Sequence, residues 1–324
     1  MILAGIDIGT NTLRLLIAET GPHTLREIYS DRRVTRLGRD LAGTGRLSRE
    51  AEGRSLSVLS DFAGKIRRYS ACHTAAVGTS ALRYAEDAAH FLDLVKAETG
   101  IDVRVITGAE EAGLTLLGVF GALPDMDEPA LVIDIGGGSI EITAAEKGGA
   151  LHAASVELGA VYLTEKFIHS DPPDRTEIED VRKAVRYALA DADRVVEGCR
   201  PGILIGTAGT VTTLAAMDLG LSVYEPDKVN NYRLTGRAVD NMVESLSTRG
   251  IDERRKMPGL EPGREDIILA GAVVVQEIMN RYGYDQMIVS DWGLREGIVI
   301  DLYNKLSMMR KEEGDAEGAC TYNG

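Results

Sequence analysis

Two stretches of this chain carry the same pattern without a gap. Ile6-Asp7-Ile8-Gly9-Thr10-Asn11-Thr12-Leu13-Arg14-Leu15 lines up with Ile133-Asp134-Ile135-Gly136-Gly137-Gly138-Ser139-Ile140-Glu141-Ile142, and Asp134 stands 127 residues after Asp7. Each copy reads as an apolar strand, a glycine-containing turn and a return strand that alternates apolar and polar residues. A glycine turn between two strands presents a row of free backbone N–H groups, which is a nest for phosphate oxygens. One copy alone would fit an ordinary hairpin. Two copies about one domain's length apart imply a duplicated phosphate-binding fold. The charged partner differs: Arg14 in the first copy, Glu141 in the second. Carboxylates such as Asp134 and Glu141 do not tolerate phosphate beside them unless a hard cation lies between, so Mg²⁺ is expected.

Composition narrows the function. With 324 residues and 44% apolar content, two domains with proper cores are expected. A formal net charge of −14 argues against nonspecific binding to nucleic acid or to an anionic membrane. A polyanionic substrate would therefore need a locally basic or metal-assisted site. Cys72, Cys199 and Cys320 are scattered and form no metal or disulfide pattern, which suits a reducing, cytoplasmic setting. Neither a signal peptide nor a membrane span is expected.

Along the chain, strands and helices alternate in both halves, the mark of an α/β fold. After the first hairpin and a third strand over Leu25–Ser30 comes DRRVTRLGRD, with Arg32, Arg33, Arg36 and Arg39. It reads either as a solvated loop or as a basic rim, with Arg33, Arg36 and Arg39 at the cleft mouth. Ser48 caps a long amphipathic helix. GTSALR places Ser80 and Arg83 at a strand-to-helix switch, where α/β folds bind ligands. GAEEAGL opens a helix with Glu110 and Glu111 in its first turn. Both suit the helix dipole, and one could also serve as a base.

Pro124–Pro129 reads as an interdomain link, and Leu151–Leu158 as the second half's third strand. Thr176 and Glu179 read as a capping box for the next helix. Ile203–Ile205 is a strand leading into Gly206, Gly209 and Thr210, a third glycine turn at a helix start. Helices are expected over Asn231–Ser247 and Asp266–Tyr282, then a strand at Met287–Val289 and a helix to about Met309. The expected domains are 1–126 with 298–310, and 127–297; residues 311–324 form a disordered tail.

DIGTNTLRLLI, VGTSALR, GAEEA, DIGGGSIEI, GTAGTVTTLAA, PGLEPGREDIILAGA and SDWGLREGI occur in this order. Together they resemble the exopolyphosphatase/guanosine pentaphosphate phosphatase family, a branch of the actin, sugar kinase and heat-shock chaperone ATPase superfamily. The resemblance spans about Gly5 to Tyr303 and is to the short members, without an extra C-terminal helical domain. It implies two ribonuclease H-like, actin-like domains around a cleft, and Mg²⁺-assisted hydrolysis of a terminal phosphoanhydride by water. By resemblance Glu111 is the general base, Asp134 and Glu141 are the metal carboxylates, and Asp7 supports metal or water. Asn11, Thr12, Gly136, Gly137, Gly138 and Ser139 form the phosphate cradle, with Gly206, Gly209 and Thr210 as a third loop. Arg14 and Arg83 neutralise charge.

The substrate expected is inorganic polyphosphate, shorter chains being preferred because the acidic total suggests a shallow groove. Guanosine pentaphosphate is the alternative. More distant are a kinase or chaperone-type ATPase, which would need an adenosine pocket, and a non-catalytic nucleotide sensor, which would not need Glu111. No nucleic-acid or membrane partner is expected, and a homodimer is carried as an expectation.

Overall fold

The structure, a computed structural model, describes residues 1–22, 24–123, 128–146, 149–197 and 201–319. Most of the expected link at Pro124–Pro129, together with Cys199 and Cys320, lies outside them. The first half comprises β1 (Ile2–Ile8), β2 (Thr12–Gly21), β3 (Thr24–Val34), α1 (Leu41–Thr44), α2 (Arg49–Arg68), β4 (His73–Gly78), α3 (Ser80–Tyr84), α4 (Ala88–Thr99), β5 (Val103–Val105) and α5 (Gly108–Ala122). The second runs β6 (Ala130–Ile135), β7 (Ile140–Glu146), β8 (Gly149–Val156), α6 (Ala160–Phe167), α7 (Arg175–Glu197), β9 (Ile203–Thr207) and α8 (Ala208–Asp218). It continues through α9 (Pro226–Val229), β10 (Arg233–Thr235), α10 (Gly236–Ser247), α11 (Ile251–Arg254), α12 (Ile268–Tyr282), β11 (Gln286–Val289) and α13 (Leu294–Ala319).

Both sheets have the expected ribonuclease H-like order. The first is β3-β2-β1-β4-β5 and the second is β10-β11-β9-β6-β7-β8. In each, a three-strand antiparallel meander carries a parallel strand beside its first member, β4 beside β1 and β9 beside β6. Strands β1 and β6 are central and covered on both faces, which is why their sequences are apolar without alternation. The register matches the sequence repeat: Asp7 lies opposite Arg14, and Asp134 opposite Glu141.

Leu59, Phe62, Phe91 and Val95 of α2 and α4 cover the first sheet. Helices α7, α8, α10 and α12 pack on the second. Between the two, α5 sets Leu116 and Val119 against Val132 and Ile205, while its Leu114 meets Leu294 and Ile298 of α13 and Val77 of β4. The two helices cross at near backbone contact: a Cβ on Gly297 would stand 1.8 Å from the Leu114 carbonyl oxygen. Among the described residues, no helix is long and apolar enough to cross a membrane.

Four local expectations are corrected. The capping box of α7 is Asp174 with Glu177, not Thr176 with Glu179. Asp174 Oδ1 accepts from the Glu177 N–H at 3.0 Å and Glu177 Oε2 from the Asp174 N–H at 3.0 Å. Residues 233–235, expected to be helical, form the edge strand β10, held by pairing to β11, and α10 starts only after Thr235 caps it. Helix α6 was not expected; it is short and opens at Gly159. The last helix extends past Met309 to Ala319, through helix-forming Lys311, Glu312, Glu313 and Ala316, while 320–324 fall outside the described residues.

Candidate active site

The two turns of the repeat close in the same way. The Gly9 N–H donates to the Thr12 carbonyl at 3.1 Å, and the Gly136 N–H to the Ser139 carbonyl at 3.0 Å. Outward carbonyls are then captured by neighbouring backbone. The N–H groups of Gly159, Ala160 and Val161, entering α6, donate to Gly138, Gly136 and Gly137 at 2.9, 3.0 and 2.8 Å. In a trans peptide the next N–H points opposite to the carbonyl. The N–H groups of Gly137, Gly138 and Ser139 therefore face away from α6, into the cleft. In the first turn the Gly38 N–H holds the Thr10 carbonyl at 2.9 Å, which turns the Asn11 N–H the same way. Gly159 must be glycine, because its Cβ would lie 2.4 Å from the Gly137 carbonyl.

Glu111 comes from α5. Thr107 caps that helix, its Oγ1 accepting from the Glu110 N–H at 3.2 Å, while Glu110 Oε2 accepts from the Thr107 N–H at 2.9 Å. Glu110 also pairs with Arg104 and stays exposed. Glu111, one residue on, points about 100° away and is 7% exposed. Thr115, one turn below on the same face, donates its hydroxyl to Asp134 Oδ2 at 3.1 Å, which fixes that face toward the second sheet. Arg83 Nη1 donates to Glu111 Oε2 at 2.6 Å and to the Ile106 carbonyl at 3.0 Å. Glu141 is buried and accepts from the Ser155 hydroxyl at 2.8 Å through Oε1.

An inner cavity of about 60 Å³ gathers Asp7, Asn11, Thr12, Arg14, Glu111, Asp134, Gly136–Ser139 and Gly209. It joins an outer chamber of about 530 Å³ through Arg14, Asp134, Ala208 and Leu294. Two of the expected loop residues lie elsewhere. Gly206 packs beneath Met287, and the Thr210 side chain faces Gly271 of α12, so Gly209 alone of that trio reaches the cavity. The turn there is shaped by Ala208, whose φ of 67° is left-handed. The inner cavity also contains Thr10, Thr79, Ser80 and Arg264, of which only Ser80 stood out in the sequence. Arg264 lies within the PGLEPGREDIILAGA motif, which marked the family but was given no site role.

The basic rim is not at Arg33, Arg36 and Arg39, none of which lines either cavity. Arg33 pairs with Asp31 on its own strand at 2.9 Å, and Arg36 pairs with Asp266 across the cleft at 2.7 Å. Arg39 is exposed beside Asp40. Arg32 instead lines the outer chamber, bound to Glu261 at 2.8 Å.

The model of the Ppx/GppA phosphatase family matches residues 16–306. The chain belongs to that family. Exopolyphosphatase 2 of Mycobacterium tuberculosis is 34% identical over 313 residues, covering 93% of this chain and 98% of its own. An exopolyphosphatase from Cytophaga hutchinsonii superposes with a TM-score of 0.88 at 28% identity, covering 94% of this chain and 98% of its own. The Aquifex aeolicus family member superposes with 0.80 at 32% identity and the same coverage. The resemblance carried by the motifs holds over the whole fold.

A cation fits the carboxylates of this Ppx/GppA phosphatase. Glu141 Oε2 is buried without a hydrogen-bond partner. Burial pushes the carboxyls of Asp7, Asp134 and Glu141 above their usual range, and neighbouring carboxylates push Asp7 and Glu141 further up. Among the described residues no three acidic, histidine or cysteine side chains are grouped so as to hold a metal ion by themselves. An ion here would rest on one or two carboxylates, with waters and substrate phosphates completing its shell, as Mg²⁺ does.

The metal-free phosphatase should lose stability as pH rises. Burial, opposed by Arg83, pushes Glu111 up to about 8, and burial, opposed by Arg14, pushes Asp7 up to about 6. Unfolded, both groups ionise near pH ~4, so the folded chain holds more protons above that. The stabilisation is full below pH ~4 and is lost as pH climbs through these two values. Mg²⁺ favours the ionised carboxylates, so its protection should grow over the same window. Thermal midpoints with and without Mg²⁺ across that range check this; a Mg²⁺ shift independent of pH contradicts it.

Proposed function

We propose that this chain is an exopolyphosphatase, removing the terminal phosphate of inorganic polyphosphate by attack of water. The observation carrying this is the single cavity that holds both phosphate turns, the buried Glu111 carboxylate and Arg14, with Arg83 bound to Glu111 from behind the cavity wall. The relatives bearing the name exopolyphosphatase support the substrate. In this reading the N–H groups of Asn11, Gly137, Gly138 and Ser139 hold the terminal phosphate, with the hydroxyl of Thr12 beside them. Arg14 and Arg83 offset charge as the bridging bond breaks. Glu111 orients the water and takes its proton. Asp134 and Glu141, supported by Asp7, would hold Mg²⁺, which supplies charge neutralisation when bound.

The outer chamber limits chain length. It sets Glu27, Asp31, Asp227 and Asp291 beside Arg14, Arg32 and Arg295. A long polyanion meets more carboxylates than arginines there, which favours short polyphosphate. The same chamber supports the second reading, guanosine pentaphosphate, since Tyr224 and Trp292 line a volume large enough for a nucleoside. Terminal phosphate release from short polyphosphate, long polyphosphate and guanosine pentaphosphate, measured side by side, decides between them. Short polyphosphate should be fastest; a nucleotide preference would displace this reading.

Glu141→Ala should act mainly by raising the Mg²⁺ concentration needed for half-maximal turnover. Coincident Mg²⁺ curves for variant and parent would remove Glu141 from the metal site. The reading also carries a cytoplasmic location, a homodimer, and domains of 1–126 with 298–310 and of 127–297. Fractionation, light scattering and limited proteolysis test these.

A further inference from the structure

Three carboxylates surround the Arg83 guanidinium, and only two have a part in the reaction. Nη1 is occupied by Glu111 and the Ile106 carbonyl. Nη2 is buried and makes no hydrogen bond. Its neighbours are Glu157 Oε1 at 3.6 Å and Glu141 Oε1 at 4.0 Å. Glu157 stands in the short link between β8 and α6, in the second half of the chain. Its other oxygen, Oε2, accepts the Ser80 hydroxyl at 2.9 Å. One carboxylate from the second half thus reaches two residues of α3 in the first half, spaced three apart on one helical face. Ser80 is itself pressed on the phosphate turn, since a Cβ on Gly138 would come 2.4 Å from its Oγ.

We infer that Glu157 is a positioning residue for the phosphatase reaction. It ties α3 to the entry of α6, keeping Arg83 on Glu111 and Ser80 against the Gly138 turn. Without it, Nη2 has only Glu141 left on its open side, and the guanidinium swings toward that carboxylate and off the base. The inference rests on the exopolyphosphatase reading for its kinetic arm but not for its structural one. Displacement of a group beside the reacting atoms costs up to about 10²-fold in rate, so Glu157→Ala should lower kcat about tenfold or more. KM should stay level or fall, because a negative charge near an anionic substrate is removed. Glu157→Gln keeps an acceptor for Ser80 but not the charge, and should recover part of the loss.

The test is kcat and KM on short polyphosphate with Mg²⁺ for the parent and both variants, beside the crystal structure of Glu157→Ala. The expected results are a loss confined to kcat and a guanidinium moved off Glu111. A raised KM with unchanged kcat, or Arg83 unmoved on Glu111, overturns the inference. An inactive parent would sink the exopolyphosphatase reading instead, and the position of Arg83 in the variant would still decide the role of Glu157.

Discussion

Glu111→Gln should lower turnover roughly 10²-fold or more while leaving substrate binding intact or slightly tighter. The amide keeps the size of the side chain and a hydrogen-bond acceptor for Arg83, but it cannot take a proton from water. It also removes one negative charge from a cavity that must admit a polyanion. Glu110→Gln is the control, because the two glutamates are adjacent yet do different work. Glu110 closes the capping box with Thr107 and pairs with Arg104, outside the cavity. Backbone and side-chain hydrogen bonds there pull its carboxyl down to about 2. Its replacement should leave turnover near the parental value and cost about 1 kcal/mol of stability or less. Turnover and binding at saturating Mg²⁺ check the pair. Equal losses, or a larger loss at Glu110, would end the assignment of Glu111 as base.

The second large effect is expected far from any phosphate. Gly297→Ala puts a methyl group 1.8 Å from the Leu114 carbonyl oxygen, a backbone atom of α5 that cannot rotate away. Helix α5 would have to lift from α13, and α5 carries Glu111. Overpacking of this kind costs about 1–3 kcal/mol, and more where backbone must move. Gly113→Ala, on α5 itself, meets no atom within 4 Å and should be neutral or gain about 0.5–1 kcal/mol from reduced chain entropy. Denaturant unfolding of both variants tests the crossing. Turnover of Gly297→Ala below its unfolding range should also fall, because Glu111 moves with its helix. Equal stability of the two variants would contradict the packing described.

The repeat made the fold legible because a phosphate turn imposes local rules: apolar central strands, glycine where backbone approaches, and a fixed register that sets Asp7 opposite Arg14 and Asp134 opposite Glu141. Glu111 was singled out by its place in the GAEEA motif of the resemblance; helix geometry says only that it and Glu110 face different ways, and the structure finds it buried. What escaped depends on partners distant in sequence. Residues 233–235 become a strand only because β11 offers an edge, and nothing local marks it. The arginines of DRRVTRLGRD could not be sorted without knowing that Asp31 takes Arg33 and Asp266 takes Arg36. Gly206 and Thr210 looked like a phosphate loop, yet they are small because Met287 and α12 press on that turn. Glu157 has no motif of its own; its interest lies in reaching two residues of α3 from the other half.

The central claim is that water, activated at Glu111, attacks the terminal phosphorus of a polyphosphate chain. Hydrolysis of short polyphosphate in heavy-oxygen water, followed by mass analysis of both products, tests it most directly. The heavy oxygen should appear in the released inorganic phosphate, the remaining chain should be shorter by one unit and unlabelled, and Glu111→Gln should suppress the labelling. Label in the retained chain, cleavage at internal positions, or undiminished labelling with Glu111→Gln would contradict the account.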